Sequence, residues 1–101
     1  MKKILLTFLL FSSFCFADIT ASFPKLTGQV VDRANLLTQS QKETLQSTLK
    51  AHEEETSNQI VLVTLNSLEG YEIAEYSYQL GRYWQIGQKD KNNGVLLVIS
   101  L

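Results

Sequence analysis

Two segments of this chain are apolar almost without a break, and they constrain its fold more than any other feature. Residues 59–65 read QIVLVTL, and residues 95–101 read VLLVISL. A strand with one wet face alternates apolar and polar residues, whereas a strand covered on both faces carries a nearly continuous apolar run. Residues 59–65 therefore predict a central strand covered on both faces, and residues 95–101 predict a second, fully apolar strand.

A helix is predicted before the central strand. Thr38 and Gln41 have the spacing of a capping box, which places the start of the helix at Thr38. Leu45, Leu49 and His52 recur at helical spacing and predict one face of this helix. Thr56, Ser57 and Asn58 end the helix, with Asn58 predicted as a left-handed cap.

A second helix is predicted between the two apolar strands. Its face is marked by Ile73, Ser77, Leu80 and Trp84. We expect Tyr76 and Trp84 in the core and Tyr78 on the surface, with the helix ending at Ile86 and Gly87.

A short strand is predicted at residues 27–32 (TGQVVD), ahead of the first helix. The order of elements is then strand, helix, strand, helix, strand. This alternation predicts a layered α/β fold with parallel neighbouring strands and right-handed crossovers.

The first residues have the pattern of a secretory signal peptide. Residues 1–17 combine a basic start, an apolar stretch at 4–16 and small residues, Cys15 and Ala17, before a cleavage point. The apolar stretch is shorter than the roughly 20 residues of a membrane-spanning helix. We therefore predict an exported, periplasmic protein, with a signal peptide at 1–17, an extended lead-in at 18–26 and the domain at 27–101.

Charge and cysteine content exclude some functions. Loss of residues 1–17 would leave seven Lys and Arg against ten Asp and Glu, a formal net charge of −3, and would remove the one cysteine. The mature chain could then form no internal disulfide and no thiolate metal site. Nucleic-acid binding depends on clustered basic residues, so we expect no nucleic-acid partner.

The polar loop at residues 90–94 (DKNNG) has two interpretations. It is not an EF-hand, because an apolar residue, Leu101, stands where that loop needs a bidentate carboxylate. It is either a turn that leads into the last strand or one part of a cation site completed by oxygen ligands from elsewhere. The acidic run at residues 53–55 fans out around its helix and predicts a solvated surface. His52 is on the apolar face of the same helix and is predicted to be packed or half-exposed, with a catalytic base or ligand as the alternative. The sequence contains no G-x-S-x-G nucleophile motif.

The order and spacing of several motifs resemble the TPM domain family. The matching residues are Val30, Val31, Asp32, Ala34, Leu36 and Leu37, the segment 59–64, then Ser67, Leu68, Gly70, Tyr76, Leu80, Trp84, Ile86 and Gly87, and finally 93–98. The resemblance covers about residues 24–101. It implies a three-layer α/β/α sandwich with a Rossmann-like βαβαβ arrangement. Family members continue with a further strand and helices, and bacterial ones often add a membrane anchor, so we expect this chain to be truncated at its C-terminus.

The resemblance also implies candidate functions. Plant members look like acid phosphatases, and some bacterial members bind calcium through acidic loops. Asp32, Asp90 and Asn93 match the family's polar loop pattern and are the candidate ligands for calcium or another divalent cation. Our leading hypothesis is an envelope interaction or maintenance module that binds unidentified envelope proteins and a divalent cation. The alternative is a metal-assisted acid phosphatase acting on phosphomonoesters.

Overall fold

The computed structural model describes residues 19–87 and 92–101. Its elements in chain order are a 3-10 helix (Ile19–Ser22), strand β1 (Val30–Asp32), helix α1 (Gln39–Thr56), strand β2 (Gln59–Leu65), helix α2 (Ile73–Trp84) and strand β3 (Gly94–Ser100). The alternation confirms the predicted α/β fold. The signal peptide predicted at residues 1–17 lies outside the described residues. Within those residues, no helix is long and apolar enough to cross a membrane.

The three strands form one parallel sheet in the order β1-β2-β3. Val31 lies beside Val63, and Val63 lies beside Val98 on the other edge. β2 is therefore paired on both edges, and all of its residues from Val61 to Leu65 are buried. This confirms the central position predicted from its continuous apolar sequence.

The two helices cover opposite faces of the sheet. On one face, α2 forms the main core with alternate strand residues; its members are Val31, Val61, Val63, Leu65, Tyr76, Leu80 and Trp84. On the other face, Leu62 and Thr64 are buried, and α1 packs against β1 and β2. The Lys42 ammonium of α1 lies beside Asp32, the strand neighbour of Thr64 on that face. The fold is thus the expected three-layer α/β/α sandwich.

The two crossover connections have opposite hands. The steps from β1 to β2 and from β2 to β3 run in the same direction across the sheet, yet α1 and α2 lie on different faces. Two right-handed crossovers in one direction would place both helices on the same face. Our expectation of right-handed crossovers is therefore wrong for one of the two. As a consequence, the chain leaves the ends of β1 and β2 toward opposite sides of the sheet.

β3 has an apolar composition like that of β2 but a different environment. Leu96 and Val98 are half-buried against the α2 core. Val95, Leu97 and Ile99 point to the other face and are 55%, 55% and 41% exposed, because α1 packs over β1 and β2 only. A continuous apolar sequence did not distinguish the central strand from this edge strand.

Helix α1 begins as predicted and ends one residue earlier than predicted. Thr38 Oγ1 accepts the N–H of Gln41 at 3.1 Å, and Gln41 Oε1 accepts the N–H of Thr38 at 2.9 Å, which confirms the capping box. The left-handed residue at the C-terminus is Ser57 (φ 68°) and not Asn58. Ser57 donates its N–H to the carbonyl of Glu53 at 2.8 Å, so the chain has already turned when it reaches Asn58. Leu45, Leu49 and His52 are half-buried, as expected for the inner face.

The buried face of α2 is centred on a different set of residues from the predicted face. Tyr76, Leu80 and Trp84 are its buried residues, whereas Ile73 is 49% exposed. The predicted face contained Leu80 and Trp84 but placed Tyr76 beside it, because spacing alone does not fix the centre of a wide stripe. The core positions of Tyr76 and Trp84 and the surface position of Tyr78 are confirmed.

The lead-in at 18–26 is not simply extended, and this expectation is corrected. Ile19–Ser22 forms a 3-10 helix, stabilised by the Ser22 hydroxyl, which donates to the Ile19 carbonyl at 3.0 Å. The Phe23 ring then packs edge-on against Tyr76, with ring centroids 5.0 Å apart. Trp84 Nε1 donates to the buried carbonyl of Pro24 at 3.0 Å. The segment folds because it carries apolar side chains that close one end of the α2 core.

Candidate ligand-binding cleft

The carboxyl ends of β1 and β2 are the natural place for a ligand in this fold. In open α/β sheets, ligands bind in the crevice outside the carboxyl ends of strands, where neighbouring connections part. Here the connection after Asp32 leads to α1 on one face, and the connection after Leu65 leads to α2 on the other. The divergence creates a crevice between the two exit loops.

A cleft occupies this crevice, with about 420 Å³ of empty space that is partly open to solvent. Its wall is built from the two exit loops, the 3-10 helix and the first turns of α2. The lining residues are Ser22, Pro24, Arg33, Leu65, Asn66, Ser67, Glu69 and Tyr76. Most of them are polar, so the cleft offers hydrogen bonds and charges more than apolar surface.

The two exit loops hold each other in place. The Asn66 side-chain amide donates to the Arg33 carbonyl at 3.2 Å, and the N–H of Arg33 donates to the Thr64 carbonyl at 3.0 Å. Ser67 Oγ accepts the N–H of Glu69 at 2.9 Å. Glu69 has φ 55°, a left-handed conformation that is uncommon for a glutamate. These bonds fix the backbone that presents Arg33, Ser67 and Glu69 to the cleft.

Tyr76 connects the cleft to the core. Its ring is buried, while the residue also lines the cleft. Burial raises the pKa of Tyr76; a hydrogen bond with Ser22 lowers it, the charge of Glu69 raises it and the charge of Arg33 lowers it, with a net rise. The phenol is therefore protonated at neutral pH and can donate a hydrogen bond.

Asp32, one of the predicted cation ligands, is fully engaged by the protein. Its Oδ1 accepts the Thr64 hydroxyl at 2.5 Å and the N–H of Leu36 at 3.0 Å. Its Oδ2 accepts the N–H of Leu37 at 3.0 Å and lies 3.8 Å from the Lys42 ammonium. The side chain is 1% exposed. A carboxylate has about four acceptor positions, and all of them face protein donors here.

The electrostatics of Asp32 agree with this geometry. Burial by itself raises the pKa of the carboxyl group, but the Thr64 hydroxyl, the Leu37 and Leu36 amides and the Lys42 charge outweigh it. The pKa of Asp32 is therefore lower than its ordinary value, and the group is ionised at neutral pH. A buried, ionised carboxylate of this kind is stabilised by its protein partners and needs no metal ion.

The predicted ligands Asp32 and Asn93 lie at opposite ends of the sheet. Asp32 pairs with Thr64 near the end of β2, whereas Gly94, next to Asn93, pairs with Gln59 at its start. The separation along β2 is roughly 16 Å at the rise of a parallel strand. One ion cannot bind both side chains. Asp90, the third predicted ligand, lies outside the described residues.

The described residues do not fit a divalent-cation site. Ca²⁺ requires six to eight oxygen ligands at about 2.3–2.6 Å. At Asp32 it would have to displace two amides and a hydroxyl beside a positive charge. Among residues 19–87 and 92–101, no three His, Cys, Asp or Glu side chains are grouped to hold a metal ion. The acidic run at 53–55 does not converge on one point either. The Glu53 carboxylate accepts a hydrogen bond from the Gln29 side-chain amide at 3.2 Å, while Glu54 and Glu55 are exposed.

Asn93 and its neighbouring glycines have a structural role. The Asn93 side-chain amide donates to the Ser57 carbonyl at 2.6 Å, and its own carbonyl accepts the N–H of Gln59 at 2.9 Å. Gly87, at φ 89°, is so close to Gly94 that a Cβ on Gly87 would lie 2.7 Å from the Gly94 nitrogen. After α2 the chain thus passes directly beside the first residue of β3. Of the two interpretations of DKNNG, the described part of the loop supports the entry into a strand.

Sequence reasoning missed the cleft residues Arg33, Ser67, Glu69 and Tyr76 as a group. A signal was present, since Arg33 follows the first predicted strand directly and Asn66 follows the second. The sequence did not show that the two helices lie on opposite faces of the sheet. This placement separates the two exit loops and opens the cleft between them.

Comparison with known proteins agrees with the fold and the motifs. A family profile for the TPM domain matches residues 30–101. Among solved structures, the chain is similar to the N-terminal domain of a protein from P. gingivalis, determined by NMR, with 33% sequence identity and a TM-score of 0.66. That match covers 74% of this chain and 48% of the other, so the chain spans about half the length of its structural relative. No curated protein matches.

Proposed function

The chain belongs to the TPM domain family, and from that premise we propose that it is an exported envelope protein whose TPM domain acts as a binding module. Residues 1–17 direct export, and the domain recognises an envelope partner at the cleft between Arg33 and the loop of Ser67 and Glu69. Its role is interaction or maintenance in the cell envelope. The signal-peptide pattern of residues 1–17 supports export, and the cleft at the edge of the sheet supports binding.

One observation carries the binding role. At the carboxyl ends of β1 and β2, the groups that face the cleft are Arg33, Ser67, Glu69 and Tyr76, which can bind a ligand by charge and hydrogen bonds. The buried carboxylate at the same edge, Asp32, is occupied by its own fold. The site therefore resembles a recognition surface, with rigid loops and unlike charges, more than a set of groups converging on one reacting atom.

A cross-linking experiment tests the partner at this cleft. A photoreactive amino acid replaces Ser67 in the full-length protein in living cells, and the same amino acid replaces Lys50, an exposed residue of α1, as the control. We expect one discrete cross-linked product from position 67 and none of that mass from position 50. Equal products from both positions, or none from either, would contradict a partner at the cleft.

Export is tested separately. Residues 1–30 are fused to a reporter enzyme that is active only outside the cytoplasm, and the mature protein is analysed by mass spectrometry. We expect activity and a new N-terminus at Asp18. Leu9→Arg, which places a charge in the apolar stretch, should abolish both. Activity that survives Leu9→Arg, or an uncleaved N-terminus, would contradict the signal-peptide prediction.

Cation binding remains a prediction that now depends on Asp90. Calorimetric titration of the full-length protein with Ca²⁺ tests it. Heat that disappears in Asp90→Ala and persists in Asn93→Ala supports a site outside the described residues. Absence of heat in the wild-type protein removes cation binding from the proposal.

A phosphatase is the second candidate function, because Arg33 and the Ser67 hydroxyl offer donors to a phosphoryl oxygen at the carboxyl end of the sheet. A bound cation would supply Lewis-acid stabilisation of that group. The test is hydrolysis of a generic phosphomonoester with and without chelator. Activity that falls with chelator and in Arg33→Gln supports the phosphatase. Activity that is equal in the wild type, Arg33→Gln and Asp90→Ala contradicts it.

A further inference from the structure

The cleft between the two exit loops contains one positive and one negative side chain that do not neutralise each other. Within the described residues, the guanidinium of Arg33 has no ion pair and no hydrogen-bonded side chain. The Glu69 carboxylate likewise forms no ion pair there. Both residues are exposed and line the same cleft, and no ion pair joins them. A gap between unlike charges is an arrangement that a bridging ligand can fill.

Tyr76 lies near both charges, since it lines the same cleft as Arg33 and Glu69. Burial is the main cause of the raised pKa of the Tyr76 phenol; the charge of Glu69 also raises this pKa and the charge of Arg33 lowers it. The Ser22 hydroxyl donates its proton to the Ile19 carbonyl, so the protonated Tyr76 hydroxyl is the donor in its hydrogen bond with Ser22. Ser67 uses its oxygen to accept the N–H of Glu69, which leaves the Ser67 O–H proton available as a donor. Arg33 and the Ser67 hydroxyl are thus the donors that line the cleft, and the Glu69 carboxylate is an acceptor.

We infer that this cleft binds a small zwitterion of the amino-acid or dipeptide class, with its carboxylate at Arg33 and its ammonium group at Glu69. The Ser67 hydroxyl donates a further hydrogen bond to the ligand. The inference depends on the cleft being a binding site, as proposed above, but not on export or on a protein partner.

The charge balance of the cleft decides against other small ligands. A phosphate dianion would meet one guanidinium and would be repelled by Glu69. A divalent cation would meet one carboxylate and would be repelled by Arg33. A neutral sugar would pair with neither charge. A zwitterion pairs both charges at once.

The test is NMR titration of the full-length mature protein with glycine and with diglycine. The matched probes are acetate, which has only the carboxylate, methylamine, which has only the ammonium group, and inorganic phosphate. We expect saturable shifts of the Arg33, Ser67 and Glu69 amide signals with at least one zwitterion. We expect binding of each single-charge probe to be about tenfold weaker or more, the scale of one lost charge-assisted hydrogen bond.

Variants separate recognition from a structural effect. Arg33→Gln and Glu69→Gln should each weaken zwitterion binding about tenfold, whereas Lys50→Gln on the outer face of α1 should leave it unchanged. The double variant Arg33→Glu with Glu69→Arg should regain part of the affinity, because the ligand can bind in the reverse orientation. A loss of fold would not be repaired by the second change.

Several outcomes would overturn the inference. They are equal binding of acetate and diglycine, tighter binding of phosphate than of either zwitterion, no binding of any zwitterion, and failure of the charge-exchanged variant to regain affinity. A discrete cross-link from position 67 without zwitterion binding would overturn this inference alone and would leave the proposed partner site standing. Absence of both would contradict both.

Discussion

The carboxylate of Asp32 should contribute a large share of the stability of this domain. Asp32→Ala removes the acceptor of two backbone amides and of the Thr64 hydroxyl, all in a site where the side chain is 1% exposed. Hydrogen bonds to a charged group are worth roughly 1.5–3 kcal/mol each, and they are not additive. The partly exposed Lys42 adds little, about 0–1 kcal/mol. We expect Asp32→Ala to lower the free energy of unfolding by about 3–4 kcal/mol, out of the 5–15 kcal/mol typical of small domains.

The same carboxylate predicts a dependence of stability on pH. The pKa of Asp32 is lower in the folded protein than in the unfolded chain. Its contribution is therefore fully present above the unfolded pKa of about 3.9, and it is lost as the pH falls through the folded pKa. The stability difference between the wild type and Asp32→Asn should be constant from about pH 7 to pH 5 and should shrink below about pH 4.

Urea unfolding followed by tryptophan fluorescence measures both effects. Trp84 is the one tryptophan of the chain and is buried, so its emission reports on the core. Glu54→Gln is the matched control, because Glu54 is an exposed carboxylate and its replacement should change stability by less than about 0.5 kcal/mol. A loss in Asp32→Ala no larger than in Glu54→Gln, or a wild-type advantage over Asp32→Asn that grows in acid, would refute the assignment of Asp32 as a buried, ionised acceptor.

Three further predictions use the same urea assay. Gly87→Ala should cost more than Gly70→Ala, since both glycines have positive φ but only at Gly87 does a Cβ meet backbone atoms; about 1 kcal/mol is expected at Gly70 and about 3 kcal/mol at Gly87, and equal losses would contradict the close approach. Trp84→Phe, followed by circular dichroism, should cost about 1–3 kcal/mol because it leaves a buried carbonyl without its donor, and a neutral result would contradict that bond. Leu97→Ser should cost under about 1 kcal/mol and Val98→Ser clearly more, because these neighbours face solvent and the core respectively; the reverse order would contradict the register of β3.

The sequence predicted those elements whose cause is local. The capping box of Thr38 and Gln41 depends on two residues of one turn, and it is present. The position of β2 follows from its own continuous apolar run, and it too is correct. By contrast, the end of α1 was misplaced because Ser57 and Asn58 have similar propensities, and the bond from Ser57 to Glu53 decides between them.

Features that depend on distant residues could not be predicted in this way. The exposure of β3 is set by where α1 lies, and the packing of Phe23 on Tyr76 joins residues that no periodicity connects. Whether Asp32 and Asn93 meet could not be read from the sequence; they lie at opposite ends of the sheet because one ends a parallel strand and the other precedes one. The cleft required the helices to be assigned to opposite faces, which composition does not specify.

The contact between Gly87 and Gly94 brings the two ends of the segment 88–93 close together. The N–H of Gly87 donates to Gln59 Oε1 at 2.7 Å, and the carbonyl of Asn93 accepts from the backbone of the same residue, so both ends of the loop are anchored to the start of β2. Residues on both sides of the segment thus hold the start of β3 beside the start of β2. Extra residues inserted in this segment, such as a peptide epitope, add only the small entropy cost of a longer loop. This makes the segment a suitable place for a label that leaves the cleft at the far edge of the sheet unchanged.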